Sequence, residues 1–306
     1  MMASFAPIIA ASINAGTPLM LAAFGLLINE KAGVVNLGAE GMMLVAAIVG
    51  FATTVHTGSV SAGLLAGAAS GMLLAGFFAL LTVWLGTNQM ATGLALSLFG
   101  SGASAYIGIG YVGASLENTK FGLPFLQDIP FLGVALFQQH PMVYFSVGLC
   151  AAMTYFLYRS RAGLILRAVG ESPAAAHALG YDVRLIRLAA LLFGGACCGL
   201  AGAYLSLVYT PQWVEGMVSG RGWIALALVT FATWRPVRVL AGAWLFGAIT
   251  ILTFYMQGEG VPLASQLLSM LPYLVTILVL VLISSNASWI KLNIPASLGK
   301  NFNPDN

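Results

Sequence analysis

Charge is what this chain of 306 residues has least of. Asp, Glu, Lys and Arg make up 7% of it, while 59% is hydrophobic; soluble domains are about one quarter charged. So little charge excludes a water-facing surface and defines an integral membrane protein. From Gly41 to Leu116 there is no charged residue at all. Other absences narrow the chemistry. Cys150, Cys197 and Cys198 all lie inside apolar runs, which excludes a disulfide framework and reads as small buried hydrophobes. His56, His140 and His177 have no partners at ligand spacing, so neither a metal site nor any other cofactor is expected. No Ser/His/Asp or His/Cys/Glu constellation occurs, so no catalytic residue is assigned and the chain is not expected to be an enzyme. The one Gly-Lys pair, Gly299-Lys300, lacks the upstream glycine and the hydroxyl residue of a phosphate loop, which excludes ATP handling by this chain. Apart from Glu40 the apolar runs are almost free of carboxylates, which argues against a self-sufficient proton- or sodium-coupled carrier. The net charge of +3 is small and its positive residues are segregated, a pattern of membrane orientation and not of nucleic-acid binding.

What is present is a series of apolar runs. The first, about 6–28, has no Lys or Arg before it and is long, so it reads as a span and not as a cleaved signal peptide. Residues 41–116 hold three more, with breaks at His56–Ser61, Gly86–Asn88 and Gly108–Gly113. A loop with a short interfacial element, about 114–140, carries Glu117, Lys120 and Asp128. Further spans are expected at about 142–158, 185–208, 219–234, 237–256 and 263–285. The fold class is therefore all-α and polytopic, with about nine transmembrane helices. An outside N-terminus puts Lys31, Arg159, Arg161, Arg167, Arg184, Arg187, Arg235, Arg238, Lys291 and Lys300 on the cytoplasmic side and only Lys120 outside. The C-terminus is then cytoplasmic as well.

Sliding the chain by about 181 residues sets Glu40-Gly41 on Arg221-Gly222, Leu19 on Leu200 and Ala22 on Ala203. Spans one to four (about 6–113) thus repeat as spans six to nine (about 185–285). Because five spans separate the copies, the second crosses in the opposite sense, and inverted repeats of this kind belong to transporters with discontinuous helices near the midplane. In GVVNLGAEGMML, glycines surround Asn36 and Glu40; in the repeat partner VEGMVSGRGW they surround Glu215 and Arg221. Freed backbone at membrane depth must face protein or a wet cavity. Glu40 and Arg221 therefore either line a solute path or hold broken backbone in place. Asn88 and Gln89, after Thr87, suit a neutral, hydroxyl-rich or heterocyclic solute, or else cap the fourth span. Trp213, Trp223, Trp234, Trp244 and Trp289 fall near span ends and read mostly as an interfacial belt.

Between two apolar blocks stands RSRAGLILRAVGESPAAAHALGYDVRLIR, Arg159 to Arg187. Ser172 can cap a helix, Pro173 suits its first position, Ala174, Ala175, Ala176 and Ala178 favour it, and Gly180 can end it. This is a rigid knob of about two turns, roughly 10 Å long. With no phosphate loop of its own, the chain would couple to an energy source on another chain through this knob.

GVVNLGAEGMMLVAA, TNQMATGLALSLFG and RAVGESPAAAHALGYDVRLIRLAALLFGGACCGLAGAYLSL resemble the permease subunits of ABC importers of the branched-chain amino acid, ribose and nucleoside type, over about residues 8–285. The NLGAEGMM and NQMATGLAL forms resemble the nucleoside permeases most. Where many relatives carry Asn-Pro in the knob, this chain carries Ser172-Pro173, an equally good cap. The resemblance implies one permease domain over 1–290 with a cytoplasmic coupling loop at 159–187 and a tail at 291–306, in a bacterial inner membrane. It implies three kinds of partner: a second permease subunit, expected to be a different chain; a cytoplasmic ABC ATPase; and an extracytoplasmic solute-binding lipoprotein. Carried over residue by residue, the coupling helix is Glu171 to Leu179, with Arg167, Ser172, Pro173, Ala175, Ala176, Leu179 and Gly180 at the ATPase contact. The five arginines would anchor the loop at lipid headgroups or rim the ATPase socket. The implied mechanism is alternating access around a path lined by the broken segments, with Asn36, Glu40, Asn88, Gln89, Glu215 and Arg221 along it. Nucleosides or nucleobases are the expected solutes, with simple sugars or branched-chain amino acids as alternatives.

Overall fold

Short polar side chains standing just before apolar runs set where the helices begin. In the computed structural model, which describes residues 2–117, 133–258, 265–284 and 293–303, the first helix, α1, is Met2–Lys31, and α2 is Ala39–Thr57. Helix α3, Val60–Ala79, starts behind Ser59, whose hydroxyl accepts from Ala62 N at 3.3 Å, and continues as a π-helical turn to Trp84. Helix α4, Gln89–Gly108, starts behind Asn88, whose Oδ1 accepts from Ala91 N at 3.0 Å. His140 precedes α5, Pro141–Arg159; Ser160 caps α6, Arg161–Glu171; and Ser172 caps α7, Pro173–Ala178. Asp182 caps α8, Val183–Tyr204, which runs on as a π-helical turn to Tyr209. Helices α9 (Arg221–Phe231), α10 (Pro236–Gly258) and α11 (Ser265–Ser284) complete the order. Each cap satisfies one of the N–H groups that a helix start leaves free. Among the described residues no strand forms, only an isolated antiparallel bridge between Ser115 and Gln212.

Among the described residues seven helices are long and apolar enough to cross a membrane: α1 to α5, α8 and α10. They match the expected spans one to six and eight. The expected seventh span differs: α9 has 11 residues, about 17 Å of helix, against a hydrocarbon core about 30 Å thick. The reason is the run of turns before it, where Gly216, Ser219 and Gly220 all have positive φ, so the chain ahead of α9 is not helical. Lys120, Asp128 and most of the expected interfacial element, the connection before α11, Trp289 and Lys291 lie outside the described residues.

The helices are unequal in burial. The most apolar stretch of α1 is 83% buried and those of α2 and α8 are 67% buried, whereas that of α10 is 22% buried. A central trio of α1, α2 and α8 is thus wrapped by helices whose outer faces carry exposed Leu65, Leu73, Leu98, Tyr155 and Leu252. In lipid, apolar faces alone do not drive helices together, so contact depends on close backbone approach. Gly63, Gly67 and Gly71, four apart on α3, provide it: a Cβ on Gly71 would collide with Gly195 O of α8. Two tryptophans depart from the expected belt. Trp213 is buried against Gly108, and Trp234 is buried with its indole N–H donated to Glu30.

Candidate functional site

After Lys31 the chain leaves the helix through Gly33, at φ +86°, and runs unwound to α2. The start of α2 lies inside the bundle. A Cβ on Gly41 would stand 2.5 Å from Leu96 O, and one on Gly100 would stand 2.5 Å from Gly41 Cα. Leu96 is about 10 Å along α4 from its first residue, so residues 35–38 descend beside α4 as unwound chain before α2 begins at Ala39. Their backbone groups are paired by side chains. Gln89 Oε1 accepts from Val35 N at 2.9 Å, Asn36 Oδ1 from Gly38 N at 3.0 Å, and Ser97 Oγ donates to Leu37 O at 2.7 Å. Asn36 is wholly buried, and its Nδ2 lies 3.6 Å from Met42 Sδ.

The second broken segment arrives at the same place. Glu40, in the first turn of α2, accepts from Gly220 N through Oε1 and from Gly222 N through Oε2, both at 2.7 Å. Those are free N–H groups at the start of α9. Two helix N-termini, each carrying unpaired donors and roughly half a positive charge, therefore converge on one buried carboxylate. Contact is close: a Cβ on Gly222 would stand 2.6 Å from Glu40 N. Arg221, 181 residues after Glu40, hydrogen-bonds the carbonyls of its own segment. Its Nη1 donates back to Met217 O at 3.0 Å and Val218 O at 3.2 Å, and its guanidinium lies 5.9 Å from the Tyr209 ring centre.

Of the six residues expected along a path, Asn36, Glu40 and Gln89 thus hold unwound backbone in the interior. Arg221 flanks the junction, Asn88 is exposed as the cap of α4, and Glu215 is exposed away from it. Sequence reading missed a second interior polar group. Tyr204 Oη donates to Asn14 Oδ1 at 2.6 Å, Asn14 Nδ2 donates to Gln139 Oε1, and Gln139 Nε2 donates to Ala135 O at 3.0 Å. The single amide of Asn14 inside the first apolar run was the signal that could have found it.

At the end of the bundle where α1 stops, the arginine-rich segment forms two helices where one was expected. Helix α6 is amphipathic and buries Gly163, Leu166, Val169 and Gly170. The knob is α7: Ser172 Oγ accepts from Ala175 N at 3.3 Å, and Gly180, at φ +87°, donates to His177 O at 2.8 Å. Glu171, Ser172, Ala175 and Leu179 are exposed, Leu179 at 78%. Ala176 is not available to a partner; it is 2% exposed, packed with Val169 and Val183. This follows from helical spacing, since a two-turn helix resting on the bundle must bury one face. Arg167 stacks over Tyr158 at 5.6 Å. Arg187 neither reaches headgroups nor rims a socket: it is buried, donating to Ala32 O at 3.2 Å and Lys300 O at 3.1 Å.

A multi-pass helical bundle in which two broken helices meet deep in the interior defines a membrane-embedded permease. Residues 8–281 match the family of branched-chain amino acid transport system / permease components, and the chain belongs to that family. It is 40% identical to a Haloferax volcanii protein provisionally named a glucose ABC transporter permease, TsgC13, over 96% of each chain. It is 30% identical to the nucleoside ABC transporter permease NupC of Lactococcus lactis, over 92% of this chain and 93% of the relative. It is also 30% identical to the guanosine ABC transporter permease NupQ of Bacillus subtilis, over 89% of this chain and 90% of the relative. No solved structure matches it. The protein is an ABC transporter permease subunit.

Proposed function

We propose that this subunit forms half of an import path for a neutral, hydroxyl-bearing ring solute, with a nucleoside as the first candidate. The observation that carries this reading is the junction of α2 and α9. Where two helix N-termini face a path, an anionic group of the solute can neutralise them. Here Glu40 already occupies that position through Gly220 N and Gly222 N. An anionic or zwitterionic solute such as a branched-chain amino acid would find the donors for its carboxylate already taken by the Glu40 carboxyl group, whereas a neutral solute is not penalised. A simple sugar is the second reading, favoured by the relative that is named for glucose.

In this reading the N-terminus is outside, and α9 and α11 complete a nine-segment inverted repeat. The basic end with α7 faces the cytoplasm. The spacing of the helices supports the repeat: α1 and α2 begin at Met2 and Ala39, α8 and α9 at Val183 and Arg221. Helix α7 is the coupling helix, presenting Glu171, Ser172, Ala175 and Leu179 to an ABC ATPase. A second permease, a different chain, completes the path, and a lipoprotein delivers the solute. ATP-driven closure of the ATPase pair displaces α7 and rocks the two halves about the junction.

The test is uptake by the whole complex in proteoliposomes. Labelled uridine or adenosine should enter with ATP and be displaced by neutral nucleosides or hexoses but not by leucine; leucine uptake, or competition by leucine, would sink the neutral-solute reading. Ala175→Asp, on the exposed face of α7, should weaken ATPase copurification about tenfold or more, because it places a charge in an apolar contact. An unchanged complex would remove α7 from the interface.

A further inference from the structure

Chain ends generally fray unless something ties them down. Residues 297–302 are tied to the basic end at every second position or oftener. Ser297 donates to Gly170 O through its N at 3.1 Å and its Oγ at 2.6 Å, and Gly299 N donates to Gly33 O at 3.1 Å. Lys300 O accepts from the buried Arg187. Asn301 Nδ2 donates to Gly86 O at 2.5 Å and Thr87 O at 3.1 Å, while its Oδ1 accepts from Gln89 Nε2 at 3.1 Å. Phe302 packs on Val169, Ala176 and Val183 beneath α7 and stands 5.6 Å, edge to face, from the His177 ring.

Two adjacent residues of this strap thus touch different machinery. Phe302 supports the buried face of α7. Asn301 grips Gln89, whose other amide atom holds Val35 N at the head of the first broken segment. Along the chain, α7 reaches the spans through α6 on one side and α8 on the other. Both of those routes meet the chain where α1 ends, Gly170 of α6 against Lys31 O and Gly33 N and Arg187 of α8 on Ala32 O; the strap reaches further along the unwound segment, in a continuous series of contacts from His177 through Phe302, Asn301 and Gln89 to Val35.

We propose that the C-terminal strap 297–302 is a transmission element, through which displacement of α7 is passed to the first broken segment, with Asn301 and Phe302 as its positioning residues. This rests on α7 being the coupling helix. Mutations along a coupling route typically change coupling without touching either end, so the effect should appear in transport per ATP and not in assembly.

The experiment compares Asn301→Ala, Phe302→Ala, Phe302→Leu and a deletion of residues 301–306 in the complete complex in proteoliposomes, with uridine as the transported probe. Ala175→Asp serves as control. Solute moved per ATP hydrolysed should fall by roughly two- to thirtyfold in both alanine variants and in the deletion. ATPase copurification and hydrolysis rate should stay at the wild-type level, and Phe302→Leu, which keeps the apolar filling, should restore most of the ratio. An unchanged ratio in the alanine variants overturns the proposal. So does a parallel fall in copurification, hydrolysis and transport, which is the mark of a strap that only holds the fold together. Normal copurification of Ala175→Asp would instead bring down the coupling-helix reading, and the strap proposal with it.

Discussion

The two broken segments look equivalent in sequence, each a charged residue among glycines 181 residues apart, yet the structure uses them in opposite ways. In the first, Glu40 is buried and its carboxylate closes the helix start of the second. In the second, the charged residues serve themselves: Arg221 caps carbonyls of its own turn, and Glu215 is exposed. The first segment therefore provides the acceptor of the junction and the second provides its donors. Clustered glycines mark both breaks, but the side chains that repair them differ. A carboxylate is suited to joining two N-termini because it can accept from both without bringing a donor of its own.

The sharpest way to break this comparison is to remove each glutamate in turn. Glu40→Ala leaves the Gly220 and Gly222 N–H groups buried without an acceptor and lets two helix dipoles face each other. Losing one member of such a buried charged contact costs about 3–5 kcal/mol, read as unfolding free energy in mixed detergent–SDS micelles. Glu215→Ala should change stability by under about 0.5 kcal/mol. Equal effects from the two would mean that the junction is not held by Glu40. The next test separates two glycines of the second segment. Gly222→Ala forces a Cβ to within 2.6 Å of Glu40 N, a backbone atom that cannot swing aside, and should cost about 1–3 kcal/mol in the same assay. Gly216 has φ +68° but open space around it. Because Asn tolerates the left-handed region, Gly216→Asn should cost well under about 1 kcal/mol. A Gly222→Ala protein as stable as Gly216→Asn would place the two helix starts further apart than described.

Much of this architecture is legible in the amino-acid order, for identifiable reasons. Helix starts follow local chemistry, so Asn88, Ser172 and Pro173 mark α4 and α7, and Gly180 marks the end of the knob by its need for positive φ. Glycines clustered with a lone carboxylate in an apolar run mark the first break. What stays hidden depends on contacts between distant segments. Nothing local distinguishes Ala175 from Ala176, since the buried face of α7 is chosen by Val169, Val183 and Phe302. Arg187 looks like one of five loop arginines, and only the arrival of Ala32 and Lys300 beside it explains its burial. The shortness of α9 is hidden because the expected span 219–234 runs on through Ala232, Thr233 and Trp234, and nothing local signals that Thr233 and Trp234 take positive φ.

The smallest effect tests the other half of the comparison, the claim that Arg221 belongs to its own segment. Its guanidinium lies 5.9 Å from the Tyr209 ring centre and donates to two carbonyls one turn back. A cation over an aromatic face at a partly exposed site is worth about 0.5–1 kcal/mol. Tyr209→Leu keeps apolar contact but removes that face, and Arg221→Met keeps the stem but removes the charge. A double-mutant cycle on these two changes, in the same micelle assay, should return a coupling energy of about that size. The same cycle run between Arg221→Met and Glu40→Gln should return much less, since the carboxylate is bound to Gly220 N and Gly222 N and not to the guanidinium. A larger coupling to Glu40 than to Tyr209 would make the junction an ion pair between the two broken segments, leaving Glu40 neutralised by a side chain and the argument for a neutral solute without its support.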